Sequence, residues 1–405
     1  MKIQEINLAN VEVASNTNIS GRVTAESRQH VSWMRDRGNF ARVCAFVAAV
    51  AVLPARQVMA DADDHLQQIL PFHTLVESTI PSNGDVNPYG VAFVPKRFAG
   101  GGVLNPGDLL VSNFNNAFNV QGTGTTIIKV APDGQTSLFF QGTAPLGLST
   151  GLAVLKAGFV LVANCPTTGG ATPMAQQGSL LLIDANGHLV TTIISPVIQG
   201  PWDFTVQDEW NKVKVFVSNV LTGTVSRLDL LIDGGNVVVR SAAVIASGYT
   251  HRPDPATFEV GPTGLAYDAQ RDILYVSSTG DNAVFAVKNA GELRQSHGLG
   301  QLIYQDPVHL HGALAMVLAP NGHLLVSNSD GINGDPNQPS EIVEFTVHGR
   351  FIGQLSVDPA QGGAFGLNIV QYTDDVVRFA AVDDNANTIT IWELNSANLT
   401  DPANN

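Results

Sequence analysis

The chain has 405 residues, of which 44% are hydrophobic and only 14% are charged, so most of it can fold around a core and is not disordered. Its formal net charge of −14 repels a phosphate backbone and excludes nucleic acid as a partner. Its two cysteines, Cys44 and Cys165, lie far apart and have no ligand at zinc-binding spacing beside them. They therefore form neither a disulfide framework nor a thiolate zinc site.

Residues 1–60 contain the pattern of a secretory signal peptide. From Met34 the chain has a basic start and an apolar run from Val43 to Leu53, and then the small side chains Val58 and Ala60 that precede a cleavage site. The run is about 11 residues, whereas a membrane-spanning helix needs about 20, which favours a cleaved signal over an uncleaved anchor. We predict translation from Met34, cleavage after Ala60, no membrane span, and export to the periplasm or the extracellular space.

A short phrase recurs along the chain at intervals of about 54 residues, since its first and last copies lie 271 residues apart over five intervals. Each copy ends an apolar run with a small residue and then a polar one. The copies end at Asn113, Asn164, Asn219, Ser278, Asn328 and Asp384. An earlier apolar run precedes each copy, and in five units it starts at a glycine: Gly90, Gly151, Gly264, Gly312 and Gly366. Each unit therefore contains at least two strands.

A third and a fourth apolar run follow in most units, separated by a turn dipeptide such as Asp133-Gly134 or Asn186-Gly187. Such dipeptides favour the positive φ angles of hairpin turns. Apolar residues alternate with period two and show no helical period of any length, which predicts four antiparallel strands per unit. Six such units predict an all-β fold, a six-bladed β-propeller with four-stranded antiparallel blades.

The sixth unit lacks a fourth strand, because a polar tail at residues 395–405 follows its third one. Residues 72–80 have strand character and no neighbouring partner in sequence. We predict that this N-terminal strand completes the last blade and closes the ring, with residues 61–394 forming the propeller; the alternative is a disordered arm and an incomplete blade.

The fourth unit resembles an NHL repeat. The residues that fit its pattern are Pro262, Gly264, Leu265, Ala266, Asp268, Tyr275, Val276, Gly280 and Asn282. The other units match more loosely, so the resemblance covers about residues 88–394 and concerns architecture. Six-bladed propellers of the NHL, TolB-like and gluconolactonase-like type share this pattern. The opening segments NPYGVAF (residues 87–93) and NPGDLLVSNFNN (residues 105–116) also resemble exported bacterial proteins of this type. The resemblance implies a fold and not an activity, because such propellers differ in function.

In such a blade the inner strand begins at one face of the ring, and the loop after the second strand returns to it. We call this the upper face. The polar and aromatic residues predicted to line the channel mouth there are Tyr89, Asn113, Asn164, Trp202, Asn219, Asp281, Asn328 and Asp384. Each strand-end asparagine has a structural alternative, because asparagine readily hydrogen-bonds its own backbone in turns.

A divalent cation, zinc or calcium, is the cofactor that these residue types favour. His309 and His311 form an HxH pair that precedes the inner strand of the fifth unit, where an extended chain would point both imidazoles to one side. We predict these two as metal ligands together with His251 and Asp203.

Two family resemblances bear on catalysis. NHL-type peptidyl-hydroxyglycine lyases hold zinc with three histidines beside an arginine and a tyrosine, which implies Arg252 and Tyr249 as catalytic candidates beside Asp203 and His311. Gluconolactonase-like enzymes bind a metal with amide and acidic groups that Asn164, Asn219 and Asp281 resemble. This chain lacks the glutamate near the start of the first unit, which counts against a lactonase.

Other chemistries are excluded by missing motifs. There is no GxSxG elbow and no Walker or dinucleotide glycine pattern, so we expect no nucleotide, flavin or haem.

Two hypotheses about function remain. The first is a monomeric propeller whose upper loops bind a small polar molecule, a glycan or a protein, and the alternative is a metal-dependent hydrolase or lyase that acts on a small polar substrate in the channel.

Overall fold

A computed structural model describes residues 73–399 except 235, 255–256 and 338–340. Within these residues six four-stranded antiparallel sheets form a ring of blades, with a two-stranded ribbon and two 3-10 helices, η1 (Thr172–Met174) and η2 (Ser396–Leu399). The predicted all-β, six-bladed propeller is confirmed. The predicted start, signal peptide and cleavage site lie outside the described residues. No helix in the described part is long and apolar enough to cross a membrane.

The strands of the N-terminal half, in chain order, are β1 (His73–Ser78), β2 (Val86–Phe93), β3 (Leu109–Asn115), β4 (Thr126–Val130), β5 (Thr136–Gln141), β6 (Leu148–Leu155), β7 (Phe159–Asn164), β8 (Ser179–Asp184), β9 (Leu189–Ile193), β10 (Pro201–Glu209), β11 (Lys212–Asn219), β12 (Thr224–Asp233) and β13 (Asn236–Ser247). Blade 1 contains β2 to β5, blade 2 contains β6 to β9, and blade 3 contains β10 to β13.

The strands of the C-terminal half are β14 (Arg252–Asp254), β15 (Phe258–Val260), β16 (Pro262–Asp268), β17 (Ile273–Ser278), β18 (Ala283–Lys288), β19 (Gln301–Tyr304), β20 (Ala313–Leu318), β21 (His323–Asn328), β22 (Glu341–Thr346), β23 (Phe351–Ser356), β24 (Ala364–Gln371), β25 (Val376–Asp383) and β26 (Thr388–Asn395). Blade 4 contains β16 to β19, and blade 5 contains β20 to β23. β14 and β15 pair in the ribbon that precedes blade 4. The sequence did not predict this ribbon, because three-residue strands are too short to show alternation.

Blade 6 combines the first and the last strand of the described residues. β1 pairs antiparallel with β26, from His73 opposite Glu393 to Ser78 opposite Thr388. The sheet order β1-β26-β25-β24 makes β1 the outer strand of the blade. This pairing covers the edge of β26, which would otherwise present unpaired backbone groups.

The serine of the phrase joins neighbouring blades in blades 1, 4 and 5. Ser327 Oγ accepts a hydrogen bond from the Ala315 amide of its own blade (3.1 Å) and donates to the Phe365 carbonyl of blade 6 (2.6 Å). The recurring glycine permits this close approach, since a Cβ on Gly264 would lie 2.3 Å from the Leu314 carbonyl oxygen. The recurring serine and glycine therefore mark positions where neighbouring blades are in contact.

Apolar side chains fill the spaces between the blades. Between blades 2 and 3 the fully buried side chains include Leu161, Leu182, Val215, Val217 and Leu228. Burying such side chains stabilises the fold by about 1.5–3 kcal/mol each. The inner strands are held rigidly by this packing, so residues at their upper ends have fixed positions.

Candidate functional site at the upper face

Five aromatic rings close the ring axis at the upper face. They are Tyr89, Phe114, Trp202, Phe258 and Phe365, and we call them the aromatic plug. They come from blades 1, 3 and 6 and from the ribbon, and they pack with Cys165 of blade 2 and Leu314 of blade 5. The plug occupies the place where the sequence predicted an open channel mouth.

The rings of the plug contact each other directly. Trp202 stacks on Phe258 with ring centroids 5.8 Å apart, and Tyr89 stacks on Phe365 at 4.7 Å. Phe114 lies edge-on to Trp202 at 5.1 Å. Offset and edge-to-face pairs of this kind stabilise beyond the area that they bury, by about 0.5–1.5 kcal/mol each. All five side chains are buried.

The four strand-end asparagines hydrogen-bond neighbouring loops. Asn164 Oδ1 accepts from the Gly147 amide (2.9 Å), Asn219 Oδ1 from the Gln199 amide (2.8 Å) and Asn328 Oδ1 from the His311 amide (3.0 Å). Asn113 Nδ2 donates to the Thr79 carbonyl (3.1 Å) and the Thr126 hydroxyl (3.2 Å). Each asparagine binds the loop that leads into its own blade, between 17 and 34 residues away in the sequence, and not its own backbone in a turn.

The predicted metal ligands do not come together. His309 Nδ1 lies 2.6 Å from Asp306 Oδ2, and its ring stacks on Phe351. His311 directs its ring nitrogens at two backbone carbonyls, 2.5 Å from Asn333 and 3.1 Å from Val308. Neither nitrogen is open to a cation.

The reason is local backbone structure. The Leu310 amide donates to the Asp306 carbonyl (2.8 Å), so this segment is a turn, and the alternation expected of an extended chain does not apply. His251 lies elsewhere, with Nδ1 at 3.9 Å from Glu259 Oε1. No three histidine, cysteine or acidic side chains of the described residues are grouped as ligands.

Three further predicted site residues form hydrogen bonds or ion pairs with nearby residues. Tyr249 donates its hydroxyl to the Leu299 carbonyl (2.9 Å), and Arg252 pairs with Asp254 (3.2 Å). Asp281 accepts from the hydroxyls of Thr250 (2.5 Å) and Ser278 (2.7 Å). None of the three lines the pocket described below.

Asp203 lies below the plug, in the axial channel. This channel has a volume of about 300 Å³ and is lined by the inner strands of all six blades. The Asp203 carboxyl accepts from the amides of Phe204 (2.7 Å) and Leu265 (3.1 Å), which joins blade 3 to blade 4. Burial raises the pKa of Asp203 to about 7, although these two bonds act in the opposite direction.

A second cavity, of about 340 Å³, lies at the upper face; we call it the upper pocket. It shares Tyr89 and Phe365 with the plug. Its other lining residues are mostly polar: Asn87, Asn115, Asn119, Gln121, Thr257, Ser329, Asp330, Gly331, Gln361, Gly362, Asp384 and Asn385. Of the predicted channel-mouth residues, only Tyr89 and Asp384 line it.

Two buried amides of the upper pocket are incompletely bonded. Asn87 and Asn115 are only 8% and 2% exposed, yet neither Oδ1 has a hydrogen-bond partner among the described residues. Asn115 uses its Nδ2 to donate to Asn119 Oδ1 (2.7 Å), which fixes the side chain. A buried acceptor without a partner is costly, and an absent ion, water or ligand is a common explanation.

Two titratable groups that line the pocket have raised pKa values. Burial, together with the charge of Asp383, raises the pKa of Asp384 to about 7. Burial and the charge of Asp384 raise the pKa of Tyr89 well above its ordinary value, so its hydroxyl stays protonated. Asp330 Oδ2 accepts from the Gly362 amide (2.8 Å). Strongly shifted carboxyl groups in a cleft are typical of functional sites.

Cys165 is the free thiol beneath this region and is fully buried. Burial and the nearby Glu259 raise its pKa to about 12. Because the thiolate is the nucleophilic form, Cys165 is a packing residue of the plug and does not serve as a nucleophile.

Sequence reasoning missed Asn87 and Asn115. Asn87 adopts a left-handed φ of 61° directly before Pro88, and its amide donates to Asn387 Oδ1 (2.8 Å). Asn115 lies two residues beyond the recurring Asn113, in a strand that continues past the phrase. The one available signal was the asparagine-rich stretch at residues 113–119, which periodicity does not distinguish from a turn.

Comparison with known proteins agrees with the architecture. No protein-family model matches the chain, and no curated protein sequence matches it significantly. A gluconolactonase from Xanthomonas campestris is similar in structure, with a TM-score of 0.50 and 14% identity, over 82% of this chain and 92% of that one. Regucalcin, a calcium-binding protein from Agrobacterium tumefaciens, has a TM-score of 0.47 and 14% identity, over 78% of this chain and 92% of that one.

These likenesses define a class of fold. The chain has the six-bladed propeller fold that its repeats predicted, and this fold is similar to that of the gluconolactonase. At 14% identity the similarity concerns the fold, and substrates or metals do not follow from it.

Proposed function

We propose that this protein is an exported binding protein that takes up a small polar molecule in the upper pocket. The observation that supports it most directly is the pair of buried amide oxygens on Asn87 and Asn115, which lack partners among the described residues and line one cavity with two carboxyl groups. Small-molecule pockets place a few polar groups where they fix the orientation of a ligand, and a cavity of about 340 Å³ accommodates one.

The closed axis argues against a catalytic centre at the channel mouth. The plug fills that place with aromatic rings, and the asparagines beside it are bonded to backbone and side-chain groups of their own blades. A histidine zinc site is not supported, since the ring nitrogens of His309 and His311 contact Asp306 and backbone carbonyls, and the described residues contain no group of three ligand side chains. The oxygen atoms of the upper pocket would suit a hard cation such as calcium better.

A panel of small polar molecules tests the proposal. Sugars, sugar lactones, amino sugars and calcium would be added to the purified full chain while its melting temperature is followed. We expect at least one compound to raise the melting temperature of the wild type and to have little effect on Asp384→Asn. Asp133→Asn, in a turn at the opposite face, is the control and should respond as the wild type does. Binding that ignores the pocket substitution, or no binding by any compound, would refute the proposal.

The alternative, a hydrolase or lyase, is supported by the raised pKa of Asp384, which suits a general base near neutral pH. Turnover of the lactones, with and without calcium, distinguishes the two functions. We expect none. Turnover that Asp384→Asn abolishes would establish the enzyme instead.

A further inference from the structure

Charge is distributed unevenly between the two faces of the propeller. Among the described residues, the upper loops and the ribbon contain nine carboxyl groups: Asp85, Asp254, Glu259, Asp281, Asp306, Asp330, Asp335, Asp358 and Asp384. Their only arginine or lysine is Arg252. The loops at the opposite face hold six of each sign, namely Asp108, Asp133, Asp272, Glu292, Asp374 and Asp375 against Lys96, Arg97, Lys156, Arg271, Arg294 and Arg350. The upper face therefore attracts cations over a distance of about one Debye length, roughly 8 Å in physiological salt.

The upper pocket concentrates this preference in one place. No lysine, arginine or histidine lines it, whereas Asp330 and Asp384 both do. An acidic cluster alone is a weak sign of a site. Here a second observation points the same way, because the unpartnered groups on Asn87 and Asn115 are both hydrogen-bond acceptors on side chains more than nine-tenths buried. These two acceptors thus need donors that the described residues do not supply, and a ligand that carries donors would match them.

The aromatic wall adds a third attraction. Tyr89 and Phe365 line the pocket as a stacked pair. A cation near such rings is attracted by their quadrupoles, more strongly where water is excluded. Neutral sugars would bind through stacking and hydrogen bonds, but they would gain no affinity from the cation–π attraction or from the negative charge of the carboxylates.

We propose, on the basis of the proposed function, that the ligand of the upper pocket is a small organic cation that binds through a primary ammonium group. An ammonium group has three donors and no acceptor, which matches carboxylate and amide oxygens that offer only acceptors. Its charge is offset by Asp384 and Asp330. A quaternary ammonium would satisfy the charge but not the amides.

Matched ligand pairs test this inference by isothermal titration of the full chain at low ionic strength. Glucosamine is compared with glucose and N-acetylglucosamine, and putrescine with 1,4-butanediol; calcium chloride is titrated separately. We expect an ammonium compound to bind about tenfold or more tightly than its neutral counterpart. Asp384→Asn and Asp330→Asn should each weaken it by a similar factor. Asp281→Asn, which removes the same charge from the upper face outside the pocket, should leave the affinity within about twofold.

Each outcome has a separate meaning. Equal binding of charged and neutral partners would overturn the ammonium inference and leave the binding function standing. Binding of calcium alone would also overturn it, in favour of a metal site. An equal loss in Asp281→Asn and the pocket variants would show attraction by the whole face and no site. If no compound binds, the inference and the proposed function both fail.

Discussion

Phe258 has a backbone conformation that is unexpected for its residue type. It adopts φ = 68°, a left-handed conformation that costs a residue with a Cβ about 1–2 kcal/mol, and it is 2% exposed. Its ring stacks on Trp202 and lies edge-on to Phe114. This backbone conformation places the Phe258 ring at the axis, where it contacts the other rings of the plug. Those contacts offset the backbone strain.

This conformation predicts an unusual order of stability between two substitutions. Phe258→Ala loses the ring and keeps the strain, so it should destabilise the protein by about 3–5 kcal/mol. Phe258→Gly loses the same ring but adopts the left-handed conformation freely, and it should be the more stable of the two by about 1 kcal/mol. Denaturant unfolding of both variants measures this. A less stable glycine variant, as is usual elsewhere, would contradict the assigned backbone conformation.

Single residues also show where sequence reasoning stops. The strand-end asparagines could be identified because they recur. Recurrence does not show what an amide side chain binds, since the same side chain can contact a ligand or a nearby loop. Asn164 and Asn219 each bind the backbone of a nearby loop. His309 and His311 were assigned to one side by assuming an extended chain, and the turn that begins at Asp306 separates them.

At the level of strands, the recurring glycine of the inner strand in blade 6 is a contact position. A Cβ built on Gly366 of β24 would lie 1.7 Å from the Tyr89 carbonyl oxygen of β2. No side-chain rotation relieves this clash, because both groups belong to the backbone. The glycine therefore sets the spacing between blade 6 and blade 1, the pair of blades that contains the two ends of the chain.

Gly366→Ala should destabilise the protein by about 2 kcal/mol or more, since blade 6 must move away from blade 1. The matched control is Gly101→Ala, where a Cβ has no heavy atom within 4 Å, and its effect should stay within about 0.5 kcal/mol. Urea midpoints of the two variants provide the comparison. Equal midpoints would mean that blades 6 and 1 do not approach as closely as described.

Strands could be predicted from the sequence to the extent that they repeat. The inner and second strands of most blades carry glycine, serine and asparagine at fixed places, because most blades make similar contacts. The ribbon of β14 and β15 occurs once and is three residues long on each side, so neither repetition nor alternation marks it. Since the ribbon supplies Phe258, the plug and the closed axis could not be predicted either.

Buried acids dominate the pH dependence of the whole molecule. Burial raises the pKa of Asp203, Glu259 and Asp384 to about 7 each, whereas in the unfolded chain these groups ionise near pH 4. Between these values the folded state binds protons that the unfolded state does not, so the free energy of unfolding falls as the pH rises from about 4 to about 7. The opposite effect, from acids with lowered pKa such as Asp268, appears only below that range.

We therefore expect the protein to be more stable at pH 5 than at pH 8, by up to about 3 kcal/mol for each of these three carboxyl groups. Denaturant unfolding at a series of pH values measures the slope. Asp203→Asn should flatten it, because its side chain no longer titrates. A stability that rises steadily from pH 5 to pH 8 would show that these carboxyl groups are ionised and favourably paired in the folded state.

The pairing of β1 with β26 has a topological consequence. Residue 73 lies opposite residue 393, so the two ends of the ring meet in one blade and a short peptide can join them. A circularly permuted chain, with new termini opened in a lower loop of another blade, should keep the same neighbours for every strand. The contacts within the ring are therefore independent of which blade comes first in the sequence.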